Sequence, residues 1–507
     1  MTDQVFWTLG ADDRSSPALD RDVELDVAIV GGGIVGLATA HFLEDLGLRV
    51  AVLEARRVGY GATARSAAKA TSQQGVLYRQ LVSDIGEEGA RLYGSANEDA
   101  LQWIVDRGGG DAEMLQRTSA CVYAPRPEMA DELREEAEVS ARLGLPADFV
   151  ADLELPVESH GGVRFADQAQ IDPCAFLRAL AATLPAATVL HEDSRAVEIE
   201  HGEPCLVRTA GHRVRARWVV VATQMPVVGD GHFYAKAFPH AHPIVAARVA
   251  PGAVPEGMFI SGGAPVRSFR PAHLGGADYV VATGPSFKPG ESGAEAQAFD
   301  ELEGWLGATF EVGPERFRWT NEDFRPMDGL PFVGAASGDA PHLLVATGFD
   351  AWGITKGVVA ARMLADTIEG RKHPLAPHLD ASRLRPVKGA TTFVAENVRS
   401  GAALVRDRVL GAKEVELDEI APGGGGVVRH NGKRVAVSRA ASGEVTAVSA
   451  VCTHLGCVVG WNAVDRSWDC PCHGSRFTSA GEVISGPATS RLEPVRLDDA
   501  ADAGPPG

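Results

Sequence analysis

The chain has 507 residues, with 48 Lys and Arg against 67 Asp and Glu, for a formal net charge of −19. Hydrophobic residues make up 45% and charged residues 23%, which excludes a disordered chain and predicts about three domains. The acidic balance excludes a nucleic-acid partner and a polybasic membrane contact, since both need a basic face. No run approaches the ~20 uncharged apolar residues of a membrane helix. The first 23 residues carry five Asp and no apolar leader, so a cytoplasmic protein without a membrane span is expected.

Residues 24 to 54 predict strand, glycine turn, helix and strand. ELDVAIV suits a buried parallel strand, GGGIVG breaks it, LATAHFLEDLGL has helical spacing and RVAVLE returns as a second strand. Gly31, Gly33 and Gly36 complete G-x-G-x-x-G: a tight turn, close approach of a pyrophosphate, and close helix–strand packing. Glu54 ends the second strand where a carboxylate can hold a ribose. Alone the glycines are a weak signal that a packing turn also explains. In this βαβ context they predict a dinucleotide site, with the phosphates at the helix N-terminus. The small-residue segment that follows, from Ala55 and Arg56 through Gly61, Ala62 and Thr63, suits a flavin better than a nicotinamide.

The acidic, alanine-rich stretch to about residue 150 is expected to be mostly helical. Residues 186 to 226 predict strands, with Val197 a further cofactor contact, and end in a strand closing on Ala222-Thr223. Residues 243 to 290 alternate like antiparallel strands. Residues 342 to 370 again predict strand, glycine turn and helix. Gly348, Trp352, Gly353, Ile354 and Thr355 follow that strand, where the backbone can face a flavin edge. Residues 371 to 387 are expected to be a linker, 390 to 409 a short helix, and Gly423–Gly426 a flexible turn opening a small β domain.

Seven cysteines are too few for a disulfide scaffold, but four of them cluster near the end. Cys452, His454 and Cys457 form one box and Cys470, Cys472 and His473 a second, each with a glycine (Gly456, Gly474). Two Cys and two His at this spacing fit a [2Fe–2S] cluster with imidazoles on one iron. Tetrahedral zinc also accepts Cys2His2, but leaves the extra cysteines and the paired glycines unexplained.

The dinucleotide motif, the segments 65–75 and 324–334, and Ala346 through Gly357 together resemble the D-amino-acid-oxidase and glycine-oxidase superfamily. Within it, the chain is similar to bacterial FAD-dependent oxidoreductases that carry a C-terminal Rieske domain. That resemblance implies a Rossmann-like, glutathione-reductase-type α/β FAD-binding domain, an interleaved antiparallel substrate domain and an all-β Rieske domain. The expected ranges are 1–370 for the oxidoreductase, 371–411 for linker and helix, and 412–507 for the Rieske domain. FAD-binding parts fall at about 24–80, 150–230 and 320–370, and substrate-domain parts at about 81–149 and 231–319. Resemblance to Rieske proteins implies Cys452, His454, Cys470 and His473 as cluster ligands and a disulfide between Cys457 and Cys472, as in cytochrome bc complexes. Ser475 matches a residue that hydrogen-bonds a cluster sulfur there. Phe477 stands where those proteins carry a tyrosine, which implies a lower potential than theirs, still above plant-type ferredoxins.

Weaker candidates are Lys69 and Lys356 near the flavin, Arg325 and Asp328 at a turn beneath it, and Tyr234 and Lys236 in a substrate pocket. His240 and His242 share a strand face without a third metal ligand, and no catalytic acid or base stands out. A flavin takes two electrons as a hydride and a Rieske cluster carries one at a time. The superfamily resemblance therefore implies dehydrogenation of a C–N bond in a small amine or amino acid. Electrons would then pass through the cluster to a one-electron protein or quinone partner. Inward flow from a ferredoxin-like donor, or a non-enzymatic redox sensor, remain the alternatives. A nicotinamide-dependent reductase lacks a second G-x-G-x-x-G, and a Rieske oxygenase would need an Asp-x2-His-x4-His pattern that does not occur.

Overall fold

The structure, a computed structural model, describes residues 4–9, 15–383 and 414–497. The helix expected over 390–409 and the end of the linker lie outside the described residues. Two large sheets and a small β domain make up the molecule.

The first sheet has eight strands. Its parallel centre runs Leu343–Thr347, Arg213–Val221, Val23–Val30, Val50–Leu53, Thr188–His191, with Phe332–Ala335 antiparallel at one edge. Val27 through Val30 and Val50 through Leu53 are buried, the continuous apolar pattern of strands covered on both faces. Helices Ile34–Phe42 and Gly353–Glu369 cover one side and meet closely, because a Cβ on Gly357 would lie 2.9 Å from Ile34 Cγ2.

The second sheet runs Arg316–Pro326, Ala237–Arg248, Ala277–Thr283, Ser268–Leu274, Met258–Ser261, Leu115–Tyr123, Gly162–Ile171 and Lys69–Ala70, with Ala147–Val150 joined to Gly162–Ile171. Lys69–Ala70, Gly162–Ile171 and Arg316–Pro326 thus hydrogen-bond in this sheet, although their sequence ranges group them with the dinucleotide-binding parts. The stretch expected to be helical to residue 150 does contain helices Tyr78–Arg107 and Ala130–Arg142, but between them Leu115–Tyr123 is a strand. Pairing on both sides, with Met258–Ser261 and Gly162–Ile171, overrides its polar, alanine-flanked context.

The C-terminal domain contains a three-stranded sheet (Gly425–His430, Lys433–Arg439, Val445–Ser449) and a four-stranded one (Gly460–Asn462, Ser467–Asp469, Arg476–Thr478, Val483–Ser485). Trp468 and Phe477 lie fully buried between them. Gly425 and Gly426 belong to a strand, which corrects the flexible turn expected there. Their missing side chains make room for neighbours: a Cβ would meet the Trp461 ring at 2.4 Å and Val415 Cγ2 at 2.5 Å, respectively.

Candidate functional site

The glycine turn has the geometry its sequence requires. Gly31 sits at φ 114°, and a Cβ on Gly36 would lie 1.9 Å from the Gly31 carbonyl oxygen, so helix and turn could not approach with any larger residue. Glu54 accepts backbone N–H bonds from Gly32 (2.8 Å) and Arg56 (2.9 Å), and burial raises its carboxyl above the usual range. An elongated cleft starts here. Gly31, Gly33, Glu54, Ala55, Gly61, Ala62, Thr63, Thr223, Trp352, Gly353 and Ile354 stand in its wall, and Arg56 lines a smaller cavity adjoining it. Gly36 acts behind the wall in packing. Val197, Gly348 and Thr355 stand outside it, and Thr355 Oγ1 bonds the Thr71 carbonyl instead. A cradle of backbone N–H groups at a helix start, beside a buried carboxylate, fits an adenine dinucleotide.

One face of the nine-stranded sheet forms the far wall of the cleft. Strand register places Ile244, Thr283, Ser268 and Ile260 side by side across four strands, with the His242–Asn321 pair two residues along. Three polar atoms on this wall are buried without a partner: His242 Nε2, Thr283 Oγ1 and Asn321 Oδ1. His242 Nδ1 contacts the Gly284 carbonyl at 3.3 Å. A carbonyl only accepts, so Nδ1 carries the proton and Nε2 presents a lone pair to the cleft. Burial lowers the His242 pKa and keeps the ring neutral. Lys69 stands in the same wall, its ammonium pushed down to about 7 by burial, and donates to the Phe259 carbonyl at 3.3 Å.

Of the weaker candidates, Lys356 is buried behind the cleft and donates to the Phe349 carbonyl at 3.0 Å. Arg325 pairs with Asp350, and Asp328 with Arg383. His240 lies 3.5 Å from Asp350. Tyr234 and Lys236 are corrected: neither stands in the cleft. Lys236 donates to the Ala381 carbonyl beneath the Phe233 and Phe332 rings, and Tyr234 faces the C-terminal domain.

There the two Cys–His boxes fold as the same turn. Gly456 N–H bonds the Cys452 carbonyl (3.0 Å) and Gly474 N–H the Cys470 carbonyl (3.1 Å). Both glycines have positive φ, 80° and 76°, which accounts for their pairing in the sequence. Cys457 and Cys472 are joined by a disulfide with Cα atoms 6.5 Å apart. Cys457, Cys470 and Cys472 sulfurs cluster, but two of them are spent in that bond, which leaves Cys452 and Cys470 as the free buried thiols of the boxes. A hydrogen bond with Cys470 draws the Cys452 thiol below its ordinary value. The His454 and His473 rings lie 5.0 Å apart with both Nδ1 atoms buried and unpartnered, and burial holds both rings neutral. Two sulfur and two imidazole donors, otherwise unsatisfied, fit a [2Fe–2S] cluster.

The C-terminal domain packs onto the cleft. Arg65 reaches Asp465 at 2.5 Å, Arg476 reaches Asp465 at 2.6 Å and Asp469 at 3.0 Å, and Thr320 also donates to Asp465. Glu295 accepts the Ala463 and Val464 N–H groups, each at 3.0 Å. A Cβ on Gly474, beside His473, would lie 2.7 Å from Glu322 Oε1 and 2.9 Å from Phe324 Cζ. The Tyr234 ring packs edge-on against His454 (4.9 Å) and His473 (5.2 Å).

A cleft with a dinucleotide cradle, facing a two-thiol, two-imidazole site, defines a flavin-dependent oxidoreductase fused to an iron–sulfur domain. The chain belongs to the FAD dependent oxidoreductase family, whose model matches residues 26–367, and a Rieske [2Fe-2S] domain matches residues 412–496. It is 33% identical over 500 residues to the Rieske 2Fe-2S iron-sulfur protein YhfW of Bacillus subtilis (strain 168), over 98% of each chain. Glycine oxidase from Geobacillus kaustophilus superposes at TM-score 0.56 with 21% identity, over 71% of this chain and 99% of its own. L-amino acid deaminase from Proteus vulgaris superposes at TM-score 0.57 with 16% identity, over 74% and 100%. At such identities these two likenesses show the fold. FAD and a [2Fe–2S] cluster are the cofactors of the chain. Among the described residues, no helix is long and apolar enough to cross a membrane.

Sequence reasoning missed Thr283, Asn321, Ser268, Arg195 and the segment Ile484–Gly486, all of which line the cleft. Asn321 lies in an unbroken polar run, Thr320 to Asp323, so no alternation in the sequence marks it as facing the cleft. Nothing local marks Ile484–Gly486, which reaches the cleft only through domain packing.

Proposed function

We propose that this enzyme dehydrogenates a C–N bond of a small amine or amino acid and passes the electrons singly through the cluster to an external acceptor. Cys452, His454, Cys470 and His473 hold the cluster, and the cradle from Gly31 to Thr63 holds FAD. One observation carries the reading: a single strand, Arg316–Pro326, separates the two sites. Asn321 and Asp323 face the cleft, while Glu322 and Phe324 lie against Gly474 beside His473. Oxidation and one-electron transfer then occur across one strand.

FAD supplies a two-electron acceptor when bound. The chain supplies the rest. His242 Nε2, Thr283 Oγ1 and Asn321 Oδ1 accept hydrogen bonds from the substrate nitrogen and hold its carbon in line for loss of hydride. Neutral His242 takes the N–H proton as the C=N bond forms. Ile244 and Ile260 exclude water from the apolar part of the substrate, and Lys69 stands on this wall where it can meet a carboxylate. The resulting imine hydrolyses in water. The chemistry named for glycine oxidase and L-amino acid deaminase, which share the fold, supports a C–N substrate.

Anaerobic absorbance and EPR during a screen of amines and amino acids test this. A substrate that bleaches the flavin and brings up a reduced Rieske signal is the expected result. Reduction of the cluster and then the flavin by reduced ferredoxin, with no amine reducing either centre, would overturn it.

A further inference from the structure

The C-terminal domain does more than carry the cluster. Its last described strand, Val483–Ser485, runs along the mouth of the dinucleotide cleft. Ile484, Ser485 and Gly486 stand in the cleft wall with residues of the glycine cradle, and Ile484 and Ser485 also line the adjoining cavity with Glu54, Ala55, Arg56 and Arg195. The approach is close. Arg56 donates to the Val483 carbonyl at 3.4 Å, and a Cβ on Gly486 would lie 2.6 Å from Val227 Cγ1. Ser485 Oγ is buried here without any hydrogen-bond partner. A buried hydroxyl left unsatisfied is costly, and one standing in a ligand cleft points to a ligand atom as its missing partner.

We infer that Ser485 is a FAD ligand contributed by the Rieske domain, so that FAD lies between the two domains and leaves only when they separate. The position of Ser485 beside Glu54, Arg56 and Arg195 assigns its hydroxyl to the ribose–pyrophosphate part of the cofactor, away from the reacting ring. Two sets of contacts hold this lid shut: Asp465 with Arg65, Arg476 and Thr320, and Glu295 with the 463–464 backbone. FAD binding and domain docking are then linked, and by reciprocity each strengthens the other by the same factor. Because the inference concerns where FAD is held, it stands whichever way electrons flow.

Two measurements on the full-length protein test it, neither of them activity. Ser485→Ala should release FAD roughly three- to tenfold faster, followed by the rise in free-flavin fluorescence, with the cluster EPR signal intact. In the unsubstituted protein stripped of FAD, adding FAD back should slow amide exchange of Val483–Ser485. Release from Ser485→Ala at the unsubstituted rate with an intact cluster overturns the assignment. If that variant fails to hold its cluster, the exchange experiment decides: unchanged exchange of Val483–Ser485 on adding FAD overturns it, and slowed exchange upholds it.

Discussion

Asp465 is the carboxylate through which the cluster domain is ion-paired to the cleft, beside the backbone bonds that Glu295 accepts. It is buried, meets Arg65 across the interface and Arg476 within its own domain, and accepts from Thr320. These two guanidinium groups hold its carboxyl down to about 2, against 3.8 for a free aspartate. Removing one partner of a buried pair costs about 3–5 kcal/mol when the other charge is stranded. Arg476 keeps Asp469 at 3.0 Å, and the Arg65 side chain is 22% exposed, so Asp465→Ala belongs at the low end, about 3 kcal/mol. That is a factor on the order of 100 in the docking equilibrium. Faster amide exchange at Ala463, Val464 and Val483–Ser485, and a larger radius in small-angle scattering, are the expected readouts. Arg65→Ala should not add fully to Asp465→Ala, because both remove the same contact. Acid should do the same to the unsubstituted protein. The folded pKa is depressed, so the contribution is complete above the unfolded value of 3.8 and is lost as pH falls through about 2. Unchanged exchange and radius in Asp465→Ala would refute the reasoning, as would the same acid profile in Asp465→Asn.

Gly36→Ala places a methyl 1.9 Å from the Gly31 oxygen and should yield protein that retains its cluster but lacks flavin absorbance. Tyr234→Phe keeps the ring against both imidazoles and should leave the cluster unchanged, whereas Tyr234→Ala lets water reach them. Two ferric ions, two sulfides and two thiolates sum to zero charge, so reduction adds one negative charge that water favours. The potential should therefore rise on the order of tens of mV in redox-titrated EPR. His242→Phe should retain FAD and cluster yet lower kcat/KM for the amine about 100-fold or more in steady-state assays. An unaffected kcat/KM would remove His242 from the mechanism.

The two cofactor sites were legible because each is a local device. Turn, phosphate cradle and helix packing are set by Gly31, Gly33 and Gly36 within one βαβ unit. The repeated Cys-x-His and Cys-x-Cys-His boxes with their glycines encode two identical tight turns. What was not legible depends on residues far apart in the chain. Leu115–Tyr123 becomes a strand because Met258–Ser261 and Gly162–Ile171 flank it, and Thr118, Val122 and Tyr123 are only a faint local sign of it. Its place in the chain assigns Tyr234 to the substrate side, but its ring direction is decided by the domain that covers it. Position in the sequence also does not tell which face of an element a side chain takes, and the Thr355 hydroxyl bonds the Thr71 carbonyl.

Strand alternation explains why two cofactor sites with different chemistry can share one wall without mixing. Successive side chains of an extended strand point to opposite faces. Along Arg316–Pro326 this sends Asn321 and Asp323 to the cleft, and Thr320, Glu322 and Phe324 to the cluster domain. The cleft face offers the unpartnered Asn321 Oδ1, while the opposite face binds Asp465 and packs on Gly474. A shift of one residue in register against Ala237–Arg248 would exchange the two sets and bury Glu322 in the substrate wall. Pairing continuous from Ala237↔Pro326 to Ala247↔Arg316 holds that register along the whole strand. The position of the cleft wall relative to the Cys–His boxes is therefore a consequence of backbone pairing. Substitutions at Asn321 should alter substrate kinetics without moving the cluster potential, and substitutions at Glu322 should do the reverse.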